Sequence, residues 1–119
     1  MHEFSIASAV VDTALRHAAG RRVTVVSVRA GRLRQVVPDS LVFAFGIVSR
    51  ETACDGARLE YEEVPARLRC EGCDAEWEIE MPVFRCATCG GAQVVVLTGE
   101  ELEVESIEVS DEKEAACIA

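Results

Sequence analysis

Two Cys-x-x-Cys pairs, Cys70-Glu71-Gly72-Cys73 and Cys86-Ala87-Thr88-Cys89, lie twelve residues apart in a chain of 119. Two such turns joined by one short hairpin bring four sulfurs to the corners of a tetrahedron, the arrangement that Zn²⁺ accepts. Four thiolates leave no coordination position open, so such an ion is structural rather than catalytic. A module of about 25 residues cannot bury a core of its own, and metal binding takes over that role. Gly72 and Gly90 are expected to supply left-handed backbone inside the turns. A rubredoxin-like iron site, a redox dithiol and an unmetallated or disulfide-bonded site stay open as other readings of the same residues.

Half of the residues are hydrophobic, enough for a packed interior, and the net charge is −9. Tracking of nucleic-acid phosphates and docking on anionic membranes are therefore both disfavoured. The charge is uneven. Residues 1–59 carry eight arginines against five acids, whereas residues 60–119 carry four basic residues against sixteen acids. No apolar run of eighteen residues occurs, and Met1-His2-Glu3 does not open a secretory leader. A cytoplasmic location is expected, and its reducing conditions favour metal chemistry over disulfides.

From Ser5 to Ala19 the apolar residues Ile6, Val10, Ala14 and Ala18 recur at helical spacing, with Gly20 placed to stop the helix. Val23 to Arg29 reads as a β-strand. Pro38-Asp39-Ser40 suits a second helix start, and Leu41, Ala44, Phe45 and Val48 fall on one face. Ala57, Leu59 and Tyr61 alternate with charged residues, as do Trp77, Ile79 and Met81. Val94–Leu97 and Leu102–Val109 read as two further strands, the last with a slip of phase. The spacing thus predicts an α/β domain over 1–64 and 93–110, a zinc lobe over 65–92, and a loose tail over 111–119.

Cys54 suits a small buried hydrophobe, Cys117 an incidental thiol in the tail, and His17 an exposed helix position. At His2 the imidazole, its own backbone nitrogen and the amine of Met1 are placed to chelate one ion. Nitrogen-rich tetragonal coordination suits Ni(II) or Cu(II). A loose terminal histidine is the competing reading.

Met1-His2-Glu3-Phe4-Ser5, the run Val36-Val37-Pro38-Asp39-Ser40-Leu41-Val42-Phe43-Ala44-Phe45, the run Cys54-Asp55-Gly56-Ala57-Arg58-Leu59 and the two cysteine pairs follow in that order. Together they resemble the HypA/HybF family of hydrogenase nickel-incorporation proteins, over nearly the whole chain up to about Val109. The resemblance implies an α+β fold: two helices packed on a small mixed β-sheet, with an inserted zinc-ribbon-like lobe held by four cysteines. It implies a metallochaperone and not an enzyme. Ni(2+) would be the cargo, bound at His2 with Glu3 contributing, and Zn(2+) the structural ion at Cys70, Cys73, Cys86 and Cys89. A carboxylate near the second helix start has a role in some members, and Asp39 is the nearest match. The implied partners are a HypB-type GTPase, the precursor of the [NiFe]-hydrogenase large subunit and, in some organisms, urease maturation proteins. The chain itself is expected to be a monomer or weak homodimer.

Two rivals are weighed against this. A zinc-ribbon interaction or nucleic-acid module would present basic and aromatic residues, but this lobe carries Glu71, Asp74, Glu76, Glu78 and Glu80. A metal-dependent hydrolase needs an open metal position and a general base, and no His-Glu-x-x-His pairing is present.

Overall fold

The structure, a computed structural model, describes residues 2–110. Met1, the tail 111–119 and with it Cys117 lie outside the described residues. The chain forms two compact units. Of the described residues, one takes 2–28, 36–62 and 103–110; the other takes 29–35 and 63–102.

In the first unit, α1 runs His2–Ala18, so it begins three residues before the start read from hydrophobic spacing. The reason lies in the first turn, where Glu3 complements the positive end of the helix dipole although no apolar period marks it. Ile6, Ala7, Val10, Val11, Ala14 and Ala18 form the buried stripe. An isolated helix of this length is marginal in water, so this stripe supplies most of its stability. It packs on α2, Pro38–Val48, through Leu41, Ala44 and Phe45. Ala7, Ala14 and Ala44 are fully buried, and their small side chains suit close approach of two helices. The stop after α1 is shared by Ala19 and Gly20, both left-handed, at φ 53° and 87°.

Strand β1, Arg22–Gly31, is buried at Val23, Val25, Val26, Val28 and Ala30. It is the middle strand of a sheet in the order β2-β1-β6, with β2 spanning Arg58–Val64 and β6 Leu102–Ser110. Arg22 bonds to Asp55 and Ser27 to Glu60, so β2 runs in the same sense as β1. Thr24 bonds to Glu108 and Gly31 to Glu101, so β6 runs in the opposite sense. The sheet is therefore mixed, and α2 lies on the crossover that parallel neighbours require. Along β6 the inward side steps from Val104 to Ile107 and then Val109, the slip of phase that the sequence carries.

The second unit holds a three-stranded sheet in the order β4-β3-β5. Its centre is β3, Ala66–Cys70, with β4, Glu76–Ile79, and β5, Val94–Thr98, antiparallel on either side. Leu68 faces Trp77 on one side and Val96 on the other, and Cys70 faces Val94. The pairing of β5 with β3 draws residues 93–102 into the unit that carries the cysteines, a wider unit than the 65–92 lobe read from composition. Strand β3 was not foreseen, although Ala66, Leu68 and Cys70 alternate with Arg67 and Arg69 at period two.

One backbone crossing in this unit tolerates no side chain. A Cβ added at Gly31 would stand 1.9 Å from the carbonyl oxygen of Gly99, and one at Gly99 would stand 2.7 Å from Ala66 Cα. Gly46, within α2, has open space around the same position. Gly31→Ala is therefore expected to cost at least about 2 kcal/mol, because backbone must shift. Gly46→Ala is expected to gain up to about 1 kcal/mol through helix propensity. Urea denaturation of the two variants checks both signs.

Candidate metal centres

The two cysteine turns are copies of one another, sixteen residues apart in sequence. In the first, Cys70 N–H donates to Ala75 O and Asp74 N–H donates back to Cys70 O, at 2.8 Å each. In the second, Cys86 N–H donates to Gly91 O at 2.8 Å and Gly90 N–H to Cys86 O at 2.9 Å. Gly72 N–H donates to Cys70 Sγ and Thr88 N–H to Cys86 Sγ, both at 3.3 Å. The residue after the second cysteine of each pair is left-handed: Asp74 at φ 64° and Gly90 at φ 74°. The expectation for Gly90 holds, whereas Gly72 is not left-handed and Asp74 takes that role. Asp tolerates this region because its short side chain bonds locally. Aligning Cys-x-x-Cys-Asp-Ala with Cys-x-x-Cys-Gly-Gly would have revealed it.

These turns bring the four sulfurs together. All lie within 4.8 Å of one another. Two close contacts join one turn to the other: 3.7 Å for Cys70–Cys89 and 3.6 Å for Cys73–Cys86. A tetrahedral ion with metal–sulfur bonds of about 2.3 Å has edges of about 3.8 Å, so the set fits zinc. The five described cysteines are free thiols, which sets the disulfide reading aside. Cys70 and Cys86 are buried, but Cys73 and Cys89 are exposed, so water reaches the outer half of the cluster.

The backbone prepares this cluster to lose protons. The Cys89 and Thr88 amides and neighbouring sulfurs bring the Cys86 thiol down to about 6, against a desolvation cost. At Cys73 the Ala75 amide pulls downward. The Cys86 sulfur, desolvation and the other two sulfurs outweigh it and push the thiol up to about 12. One thiolate thus forms readily at Cys86, while Cys73 and Cys89, both raised, hold their protons against a growing negative charge until a cation takes their place.

The Met-His-Glu segment lies in the first turn of α1, with His2 exposed. Glu3 is turned toward the second helix, where its Oε2 accepts the N–H of Val37 at 3.2 Å. Val37 is the residue that precedes Pro38 at the start of α2, and it has no side-chain oxygen with which to cap that helix. The Glu3 carboxylate thus does, from another helix, what a capping-box glutamate does within its own. It stands at two positive helix ends together. The Val37 N–H holds its carboxyl below the usual carboxylate range, with smaller downward pulls from its own backbone, His2 and the chain terminus, against a desolvation cost. Asp39 in the first turn of α2 joins Glu3, Phe4, Ser40 and Phe43 around one open cavity of about 320 Å³.

Residues 1–109 match the HypA family, described as hydrogenase/urease nickel incorporation, metallochaperone. The hydrogenase maturation factor HypA of Geotalea uraniireducens is 47% identical over 109 residues, 92% of this chain and 99% of the relative. That of Streptomyces avermitilis is 46% identical, over 93% of this chain and 88% of the relative. The chain belongs to the HypA family. In fold it is similar to the solution structure of the nickel metallochaperone HypA from Helicobacter pylori. That likeness has a TM-score of 0.66 at 24% identity and covers 92% of this chain and 97% of the other.

Other residues singled out in this HypA-family sequence fall outside the two sites. Cys54 is fully buried, and desolvation raises its thiol, as suits a packed apolar role. His17 is exposed on α1 and lines a separate shallow cavity with Val104, Glu105, Ser106 and Ile107. Among the described residues, the four cysteines are the one group of three or more His, Cys, Asp or Glu donors within reach of a single ion. No described helix is long and apolar enough to cross a membrane. Sequence reading missed the Val37 amide as the partner of Glu3, since a backbone donor leaves no mark in residue type.

Two outcomes are expected. Cys73→Ala should lose the metal and raise hydrogen exchange through β3, β4 and β5 while the amides of α1 stay protected, and exchange mass spectrometry reads both regions. The Glu3 pKa is lowered on folding, so its contribution is present at neutral pH and is lost as pH falls through the folded value, below 4.5. The Val37 amide resonance should therefore titrate with an acid-side midpoint in the wild type and lose that titration in Glu3→Gln.

Proposed function

We propose that this chain is a nickel metallochaperone that binds Ni(II) through His2 at its N-terminus and hands it to the large subunit of a [NiFe]-hydrogenase during maturation. The observation that carries this reading is the pairing, in one chain of the HypA family, of an exposed His2 at a helix start with a separate four-sulfur cage. The cage fits Zn(II) and closes all of its positions, which leaves cargo to the other end of the chain. When bound, zinc supplies a rigid cross-link between two turns and no reactive position.

At the N-terminus, the His2 imidazole and backbone nitrogen with the Met1 amine form a small set of nitrogen donors suited to nickel. Few ligands and an exposed position allow one donor at a time to be replaced by a partner's. Glu3 acts in this reading both as a neighbour of the ion and as the tie to α2. To bind nickel directly it would exchange the Val37 N–H for the cation. The partners in this reading are a HypB-type GTPase and the large-subunit precursor, with urease maturation proteins as a further destination. The compartment is the cytoplasm, and the role is carriage rather than catalysis.

A second reading, a zinc-ribbon interaction module without nickel transfer, draws on the exposed Met81, Val83 and Phe84 beside the second cysteine turn. Nickel binding separates the two. His2→Ala should weaken nickel binding by more than about tenfold, since loss even of a group that only orients a metal ligand costs that much. An extension ahead of Met1 should change the nickel spectrum with His2 intact. Calorimetric titration of untagged protein measures the first, and equal affinity for wild type and His2→Ala would overturn the proposal.

A further inference from the structure

The sheet of the second unit runs β4-β3-β5, so β4 is an edge strand. Its pairing with β3 sets Glu76 opposite Arg69 and Glu78 opposite Arg67. The next pair along is Cys70 with Ala75, and there the Cys70 N–H donates to Ala75 O at 2.8 Å. Antiparallel pairs alternate between bonded and non-bonded. Trp77 and Ile79 therefore exchange bonds with β3, whereas the N–H and C=O of Glu76 and Glu78 point the other way, along the open edge.

An open edge is a template for another strand, and the side chains around this one say which. Residues 71–84 carry five acids, Glu71, Asp74, Glu76, Glu78 and Glu80, and no Lys or Arg. Arg67 reaches Glu76 and Glu78 at 3.5 and 3.8 Å, and Arg32 reaches Glu80 at 3.8 Å. Exposed pairs at such distances add little, and two cations against five acids leave the stretch negative. Beyond β4 the chain holds out Met81, Val83 and Phe84, which are 68%, 60% and 44% exposed. This loop is tied in place: Val83 N–H donates to Met81 O at 2.7 Å, and the Arg85 guanidinium donates to Gly90 O in the second cysteine turn at 3.1 Å. Three large apolar side chains fixed in water beside an unpaired edge mark a surface that another molecule covers.

A second copy of the chain is a poor occupant, because joining two β4 edges gathers the glutamates of both into one seam. A segment of opposite charge is a good one. We propose that β4 receives an extended segment of a partner protein as a further strand, with Lys or Arg at alternate positions against Glu76 and Glu78 and apolar residues at its end against Met81, Val83 and Phe84. Main-chain bonds along the edge supply affinity, and the alternating side chains supply the choice of partner. The surface uses none of the four cysteines and does not rest on the nickel reading.

The test uses the full metal-loaded chain, ¹⁵N-labelled, and two synthetic peptides: acetyl-Lys-Val-Lys-Val-Lys-Leu-Phe-amide and its counterpart with every Lys replaced by Glu. At nine-tenths occupancy by the basic peptide, hydrogen exchange at the Glu76 and Glu78 amides should slow about tenfold, because only the free fraction exchanges. The amides of Met81, Val83 and Phe84 should shift, and raising the salt to about 0.5 M should weaken binding. Phe84→Ser should weaken it at least about fivefold, as loss of an apolar anchor does, with metal content and melting temperature unchanged. If Phe84→Ser melts early, Val83→Ser repeats the test. Equal response to the two peptides, or none, overturns the proposal. Binding that leaves exchange at Glu76 and Glu78 unchanged also overturns it, since attraction between charges without a new strand gives that result. Nickel enters neither measurement, so failure here leaves the His2 reading standing, and failure there leaves this one.

Discussion

Four sulfurs held within 4.8 Å of one another govern the second unit. Its strands are short, four residues in β4 and five in each of β3 and β5. A sheet of that size, with Leu68 as its one large fully buried side chain, has little apolar burial to set against the entropy of ordering it. The cluster supplies the missing constraint. It joins the end of β3 at Cys70 to a turn that has no strand of its own at Cys86, and the amide donors aimed at sulfur stabilise the charge that ion binding requires. The sheet in turn places Cys70 opposite Val94 and so fixes where the first turn points.

The first unit is governed differently. Its helices meet through small side chains, and its strands bury a run of valines, so ordinary packing suffices. What distinguishes it is the meeting of two helix starts, where Glu3 serves the opening amide of α2. The residues that most resemble a metal-binding motif are thereby woven into the packing of the helices. A change at Glu3 reaches α2 without passing through any metal, so activity alone cannot separate a ligand from a positioning residue there.

The parts of this molecule that obey a period or a spacing were legible in the sequence. The helix stripe of Ile6, Val10, Ala14 and Ala18, the Pro38 start, the alternation in β4 and the two cysteine pairs all express side-chain chemistry directly. Strand β3 escaped because its five residues, with Pro65 ahead of them, merge into the cysteine-rich texture. Hydrophobic spacing alone starts α1 late, at Ser5, because the first turn from His2 is largely exposed and lies ahead of the buried stripe; the Met-His-Glu opening, read through the family resemblance, places the start correctly. Asp74 in place of Gly72 escaped because backbone shape depends on position within the turn more than on the presence of glycine. The cavity beside Glu3 joins residues 3 and 39, a distance along the chain that no local pattern bridges.

The exposure of Cys73 and Cys89 gives the sulfur cage an inside and an outside. Chelators, oxidants and competing soft cations arriving from solvent meet these two residues before Cys70 and Cys86. Attack on the cage is therefore one-sided. The inner sulfurs belong to Cys70 and Cys86, the residues whose own N–H and C=O close the two turns, so the buried half of the cage is also the half tied most directly to the backbone.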